Sequence, residues 1–366
     1  MNVFNLVRKA LYSVPEIKWG VSDYENSFLV LKWGENQYQP SRKLLTSISK
    51  SLSTINKYPT LQSTLKVKIA NYAQVDQSEC LLSGADRAFR IISETFIEKD
   101  DEIIIFEPTF PIFEKCVLIM SGKVRKIPLD KSFKIPSVTK ISRSITKRTK
   151  IICLCNPNNP TGNFIATTAQ IENLLKLDLI IVVDEVYFEF SNQTCLRLLK
   201  KYSNLIIIRS FSKTFGLAGL RVGYILSSRE IISYLSRVEL SIAPFDIPTP
   251  SLAGAIAALD NIEITKQNIK QINRAKVNLT SKLKKMGLKV YTSATSFLLI
   301  STRSFGIKSK EFIQLMENSK IILKDVSIYS GLSEYESYMA IPNKNDIPRL
   351  VNAIKKIIST KTKPLH

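Results

Sequence analysis

The sequence predicts an α/β protein built on a mostly parallel sheet, followed by a smaller α+β domain. Three observations carry this. From residue 80 onward, short continuous apolar runs alternate with stretches of helical period, and runs without polar alternation suit strands buried on both faces. Each run ends in polar or glycine residues. After about residue 245 this rhythm stops, at a junction marked by Pro244, Pro248 and Pro250.

Residues 1–40 have no strong period and carry Trp19, Tyr24, Trp33 and Tyr38; they read as an N-terminal arm. The large domain is expected over 41–245. It opens with a helix over 41–56, a break at Lys57-Tyr58-Pro59-Thr60, and a second helix over 61–72. Five apolar runs follow, near 80–82, 102–106, 151–155, 179–183 and 205–208. Their ends run into Ser83-Gly84-Ala85-Asp86, Glu107-Pro108-Thr109-Phe110, the NPNNPTG turn, Asp184-Glu185-Val186-Tyr187 and Arg209-Ser210-Phe211-Ser212-Lys213. Ligands of such sheets bind beyond the carboxyl ends of the strands, so five converging ends predict one site. The small domain is expected over 246–366. It begins with a long helix over 252–286 closed by Gly287. A strand (297–300), a helix (308–318), a strand (321–324) and a last helix (347–359) complete it.

Composition narrows the chemistry. The 366 residues are 45% apolar and 23% charged, which suits a sizeable core. The one histidine is His366, so no Ser-His-Asp triad, Cys-His pair or His-built metal site can form. Acid–base work then falls to Lys, Tyr, Asp, Glu or a cofactor. Five scattered cysteines do not read as a disulfide framework, and Cys153 and Cys155 read as buried thiols on one side of a strand. There is no apolar stretch of membrane-spanning length and no convincing signal peptide. A reducing, cytoplasmic setting is expected. The net charge of +21 is spread along the chain without a nucleic-acid-binding motif, so it reads as solvated faces, with no nucleic-acid or membrane partner.

The strand ends supply specific chemistry. Asp184 leaves a very apolar run, where a carboxylate is costly unless paired, and could hold a protonated ring nitrogen with Tyr187 nearby. Lys213 could lose its proton when desolvated and then attack a carbonyl. Ser210, Ser212 and Arg221 offer hydroxyls and a guanidinium to a phosphate. Gly84, Ala85 and Asp86 precede a helix whose first amides make a further anion site. Asn159 sits in a turn fixed by prolines and a glycine, and Phe110 could stack on a flat ring. A Schiff-base lysine, a pyridinium partner, a stacking aromatic and a phosphate cradle are what a protein provides to pyridoxal 5'-phosphate.

The motifs then resemble a known family. GENQYQP (34–40), KYPT (57–60), SGADRAF (83–89), EPTFPIF (107–113), CNPNNPTG (155–162), VVDEVYFEF (182–190) and RSFSKTFGLAGLRVGY (209–224) occur in the order of fold-type-I pyridoxal-phosphate aminotransferases. The chain is similar to histidinol-phosphate aminotransferases and to threonine-phosphate decarboxylase-like relatives. The resemblance implies an aspartate-aminotransferase-like large domain with a seven-stranded sheet. It implies that Lys213 forms the Schiff base and shuttles a proton, that Asp184 pairs with the pyridine nitrogen, and that Tyr187 and Asn159 bind the phenolic oxygen. Phe110 would stack on the ring, and Gly84, Ala85, Asp86, Ser210, Ser212 and Arg221 would hold the phosphate. Tyr58 would reach the neighbouring subunit's site in a homodimer. Tyr12, Asn36, Tyr38, Lys324 and Tyr338 would lie near the substrate. Two departures stand out: Lys324 replaces an arginine, and Tyr338 falls where relatives carry the arginine that clamps a carboxylate. The expected activity is amino transfer between an amino acid and a small keto compound, phosphorylated or not. Decarboxylation of an O-phosphorylated amino acid is the alternative.

Overall fold

Within each apolar run the side chains divide between two faces with period two, and both faces are buried. Ile104, Phe106, Ile152, Leu154, Ile181, Val183 and Ile207 enter one core layer. Ile103, Ile105, Ile151, Cys153, Val182, Ile206 and Ile208 enter the layer on the opposite side. A sheet of this kind needs helices on both sides, and the intervening chain supplies them. The computed structural model describes residues 6–14 and 27–361. The expected arm residues Trp19 and Tyr24, and the terminal His366, lie outside the described residues.

In chain order the elements begin with β1 (Leu29–Val30), α1 (Arg42–Ser51) and α2 (Gln62–Ala73). Next come β2 (Cys80–Leu82), α3 (Ala85–Phe96), β3 (Glu102–Glu107), α4 (Ile112–Ile119), β4 (Lys123–Pro128) and α5 (Val138–Ser142). These lead to β5 (Thr149–Cys155), α6 (Thr168–Leu175), β6 (Ile180–Asp184), α7 (Phe188–Ser191), β7 (Leu205–Ser210), β8 (Gly223–Ser227) and α8 (Arg229–Ile242). The remainder is α9 (Thr249–Asp260), α10 (Ile262–Lys285), β9 (Lys289–Val290), β10 (Phe297–Ser301), α11 (Ser309–Asn318), β11 (Ile321–Ile322), β12 (Lys324–Asp325), β13 (Glu336–Ala340) and α12 (Ile347–Lys361).

Seven strands form the large sheet in the order β2-β8-β7-β6-β5-β3-β4. Strand β8 runs antiparallel to both its neighbours; the other pairings are parallel. The strand order reverses where β5 lies beside β3, and a crevice opens at such a reversal beyond the carboxyl ends. The smaller sheet has the order β12-β13-β10-β9, antiparallel throughout, and β1 pairs in parallel with β11. Through β1, Leu29 and Leu31 join the core of that smaller unit.

Two expectations are corrected. The single helix over 252–286 is two, α9 and α10, broken at Asn261 (φ −118°, ψ 38°). Helix α9 packs on α1 and α2, and Leu252, Ala255 and Ala258 join the core of the large sheet. The apolar run at 321–324 is split between two sheets, with β11 on β1 and β12 on β13. Gly287 does follow the last turn of α10 at φ +87°, with its amide and that of Leu288 donating to the Lys284 and Leu283 carbonyls.

A buried ion pair fixes the ends of β6 and β7. Arg209 and Glu185 are each 2% exposed, with Nε and Nη2 of the arginine donating to Glu185 Oε2 at 3.1 and 2.9 Å. Glu185 also accepts from the Thr194 hydroxyl and the Cys195 amide, and the guanidinium lies 3.9 Å over the Phe188 ring. Removing one partner of a buried pair leaves an uncompensated charge, at a cost of about 3–5 kcal/mol. Glu185→Gln is therefore expected to lower the unfolding free energy by about 3–5 kcal/mol, read from urea denaturation. A loss below about 1 kcal/mol would show that the guanidinium finds another partner.

Candidate active site

A cavity of about 850 Å³ opens beyond the carboxyl ends of the central strands. Twelve of the residues singled out in the sequence line it: Ala85, Asp86, Phe110, Asn159, Asp184, Tyr187, Ser210, Ser212, Lys213, Arg221, Lys324 and Tyr338. The reason is topological: β5, β6 and β7 are parallel neighbours, so the segments that follow them emerge at the same edge.

Asp184 closes β6 and is 5% exposed. Its Oδ1 accepts from the Val186 amide at 3.0 Å and its Oδ2 from the Cys155 thiol at 3.6 Å. Burial outweighs both and pushes its carboxyl up to about 6. Among the described residues no cation is within ion-pair distance of it. Lys213 shifts the other way. Desolvation in the cavity wall lowers its amine to about 8, with Arg221 and Lys324 adding repulsion against the attraction of Glu35 and Asp86. Its Nζ donates to the Trp33 carbonyl at 2.7 Å.

The anion cradle lies at the start of α3. Gly84 is its N-cap and supplies no side chain to the first amides, which therefore stay available to an anion. A Cβ at Gly84 would stand 2.9 Å from the Arg221 carbonyl, so only glycine lets the two segments approach. Arg221 adopts φ +55° and donates to Asp86 at 2.6 Å and to the Ala218 carbonyl at 3.1 Å. Ser210 Oγ accepts from the Ser212 amide at 3.1 Å.

Two phenols form the opposite wall. Tyr187 and Tyr338 are 3% and 2% exposed, their hydroxyls interact by hydrogen bonding, and burial raises both well above the ordinary phenol range. Both pack on Phe297. Gly34 passes over them at φ +66°, where a Cβ would lie 2.2 Å from the Tyr338 hydroxyl oxygen. Tyr338 pairs with Leu299 of β10 and Lys324 of β12, so the smaller sheet delivers both departures from the family pattern to one wall.

Not every expected residue reaches the cavity. Asn36 and Tyr38 line a separate, much smaller cavity, where Asn36 donates to the Thr214 carbonyl and accepts from the Tyr38 amide. Tyr12 is 60% exposed on a single 3₁₀ turn against α4. Tyr58 is 75% exposed and stacks on Phe245 at 4.6 Å. Gly84 acts through its backbone next to Ala85. Conversely, Trp33, Glu35, Glu107, Glu114, Lys115, Lys126 and Tyr329 line the cavity without having been singled out. Glu107 stood inside a recognised motif; Lys115 and Lys126 look like ordinary surface lysines in sequence.

The donor set fits pyridoxal phosphate. Asn159 lines the cavity, and its Oδ1 is buried with no hydrogen-bond partner. A protonated ring nitrogen would supply the cation Asp184 lacks. The cradle of α3, Ser210, Ser212 and Arg221 matches a phosphate monoester. Fold and site together define a pyridoxal-phosphate-dependent enzyme with an aspartate-aminotransferase-like fold. The chain belongs to the aminotransferases of class I and II, whose family model matches residues 18–338. It is 31% identical over 345 residues to the histidinol-phosphate aminotransferase of Methanosphaera stadtmanae, covering 93% of each chain. The histidinol-phosphate aminotransferase of Sinorhizobium meliloti, solved in complex with pyridoxal 5'-phosphate, has a TM-score of 0.80 at 20% identity, covering 91% of each chain. The L-threonine-O-3-phosphate decarboxylase of Porphyromonas gingivalis has a TM-score of 0.74 at 22% identity, with 90% and 99% covered. The chain is a pyridoxal-phosphate-dependent transaminase, similar to histidinol-phosphate aminotransferases.

A lysine attacks a carbonyl only as the neutral amine. Covalent uptake of pyridoxal phosphate by the apoprotein should therefore speed up as pH rises through about 8 and then level off. Stopped-flow absorbance checks this; a midpoint near 10.5, the ordinary lysine value, would show that the cavity does not desolvate Lys213.

Proposed function

We propose that the enzyme moves an amino group between an amino acid donor and a small phosphorylated keto compound, with histidinol phosphate as the phosphorylated amine. The observation carrying this reading is the pair formed by Lys213 and Asp184. One amine biased toward neutrality and one carboxylate short of a cation open into the same cavity from neighbouring segments. The similarity to histidinol-phosphate aminotransferases over nearly the whole chain supports the choice of substrate.

Bound pyridoxal phosphate would supply an electron sink for the bonds at the substrate Cα. Lys213 Nζ would take the proton from the substrate Cα and hold it within the cavity for return. Asp184 would hold a proton on the ring nitrogen through charge. Tyr187 and Asn159 would hold the ring hydroxyl oxygen, Phe110 would stack on the ring, and Ala85, Asp86, Ser210, Ser212 and Arg221 would hold the phosphate. Lys324 and Tyr338 face the substrate side of the cavity.

The active form proposed is a homodimer in which Tyr58 reaches the neighbouring site. Leu52, Ile55, Tyr58 and Phe245 are between 48% and 75% exposed, and exposed apolar side chains in number mark interaction surfaces. We also propose the division into arm (1–40), large domain (41–245) and small domain (246–366), with α9 lending its buried face to the large one. No described helix is long and apolar enough to cross a membrane. The five cysteines are all free, which supports a reducing cytoplasmic setting.

A donor–acceptor screen with product masses is expected to give amino transfer between histidinol phosphate and a keto acid. Release of carbon dioxide without transfer would favour the decarboxylase reading instead. Lys213→Ala should lower kcat by a factor of about 10⁴. If Tyr58 serves the neighbouring site, mixing Tyr58→Ala with Lys213→Ala and allowing subunits to exchange should recover about a quarter of wild-type turnover, because each hybrid carries one intact site. No recovery from exchanged hybrids would assign Tyr58 to its own subunit or to neither.

A further inference from the structure

The charges around the cavity do not cancel evenly. Lys126 is taken by Glu107 and Glu114 at 2.9 and 2.8 Å, and Arg221 by Asp86 at 2.6 Å. Lys213 is held by the Trp33 carbonyl, and Lys32 lies over the Trp33 ring. Two further amines in the lining pair with no carboxylate among the described residues, and Glu35 lines the same cavity. Lys324 donates to the Tyr329 hydroxyl at 3.0 Å and lies 5.3 and 5.8 Å from the Tyr329 and Tyr338 ring centres. Lys115, on α4, has no carboxylate within ion-pair distance among the described residues. Both amines line the same cavity; burial lowers the Lys115 amine first, Glu114 pulls it back, and Lys324 pushes it down further. Tyr338, between Lys324 and Leu299, brings a phenol and no charge.

We propose that Lys115 is a specificity-determining residue, which with Lys324 forms a two-amine subsite for the dianionic phosphate monoester of the amino substrate. This rests on the transaminase reading above and adds the residue that recognises the distal group. A phosphate monoester carries close to two negative charges at neutral pH, and two uncancelled amines on α4 and β12 match that charge. A carboxylate would satisfy one. Lys115 comes from the large sheet's side and Lys324 from the smaller sheet's, so an anion between them also ties the two units together across the cavity.

The test uses the loaded enzyme and reads binding through the change in its yellow absorbance band as ligand is added. Histidinol phosphate and unphosphorylated histidinol are compared, and inorganic phosphate is titrated as a competitor. In Lys115→Gln the dissociation constant for histidinol phosphate should rise about tenfold more than that for histidinol, and phosphate should compete about tenfold more weakly. Lys115→Arg should restore most of both effects. Equal changes for the two amines, or no change in either, would overturn the subsite. If wild type binds neither amine yet transfers from another donor, the substrate reading fails instead. Competition of phosphate against that donor, in wild type and Lys115→Gln, then still decides whether Lys115 holds the anion.

Discussion

Glu185 and Arg209 place opposite full charges where almost everything else is apolar, and the site depends on that contact. The pair joins the ends of neighbouring strands β6 and β7. Asp184 stands one residue before Glu185, and Ser210 one after Arg209. A shift of either strand would separate the carboxylate from the anion cradle and from Lys213. Buried pairs of this kind are poor sources of net stability, because desolvation cancels much of the attraction. Their value lies in penalising wrong registers, since any slip leaves two bare charges. Here the ion pair, the Thr194 and Cys195 contacts and the Phe188 ring engage both groups, and a slipped register would lose them together.

With register fixed, the same low-polarity setting does the electrostatic work. Burial raises Asp184 and lowers Lys213, so both drift toward neutrality. That makes the lysine a better nucleophile and leaves the carboxylate in want of a cation. Both shifts come from one cause, and either would fade if water filled the strand ends. The Tyr187–Tyr338 wall under Gly34 helps keep that side closed, because no larger residue than glycine fits over the Tyr338 hydroxyl.

Five of the seven strands of the large sheet, and most of its site, were legible in sequence because their causes are local; β4 and β8 were not read as runs. An apolar run of five residues announces a strand, and its first polar residue announces the strand end; Asp184 and Lys213 were found that way. The helical break at Asn261 was not legible, since both α9 and α10 keep a helical period and no proline or glycine separates them. Strand β13 escaped because ESYMA mixes polar and apolar residues, and its burial comes from β10 and β12 on either side. Asn36 and Tyr38 belong to a motif that borders the site, yet the chain turns at Gly34 and carries them to the far side of the Lys213 loop. Lys115 had no signal at all. A lysine on an amphipathic helix is ordinary, and only the fold reveals which lysines lack a counter-charge.

That distinction bears on the net charge of +21. Many surface lysines and arginines here are offset by a carboxylate, as in Arg87 with Glu239 and Asp246, or Lys201 with Glu172. Such pairs contribute little and say little about ligands. A cavity is different, because its walls focus the field of any uncancelled charge onto whatever enters. Two amines facing a confined space with no carboxylate within ion-pair distance therefore mean more than a larger excess spread over a solvated surface. The informative part of the basic composition is the small part that the fold has turned inward.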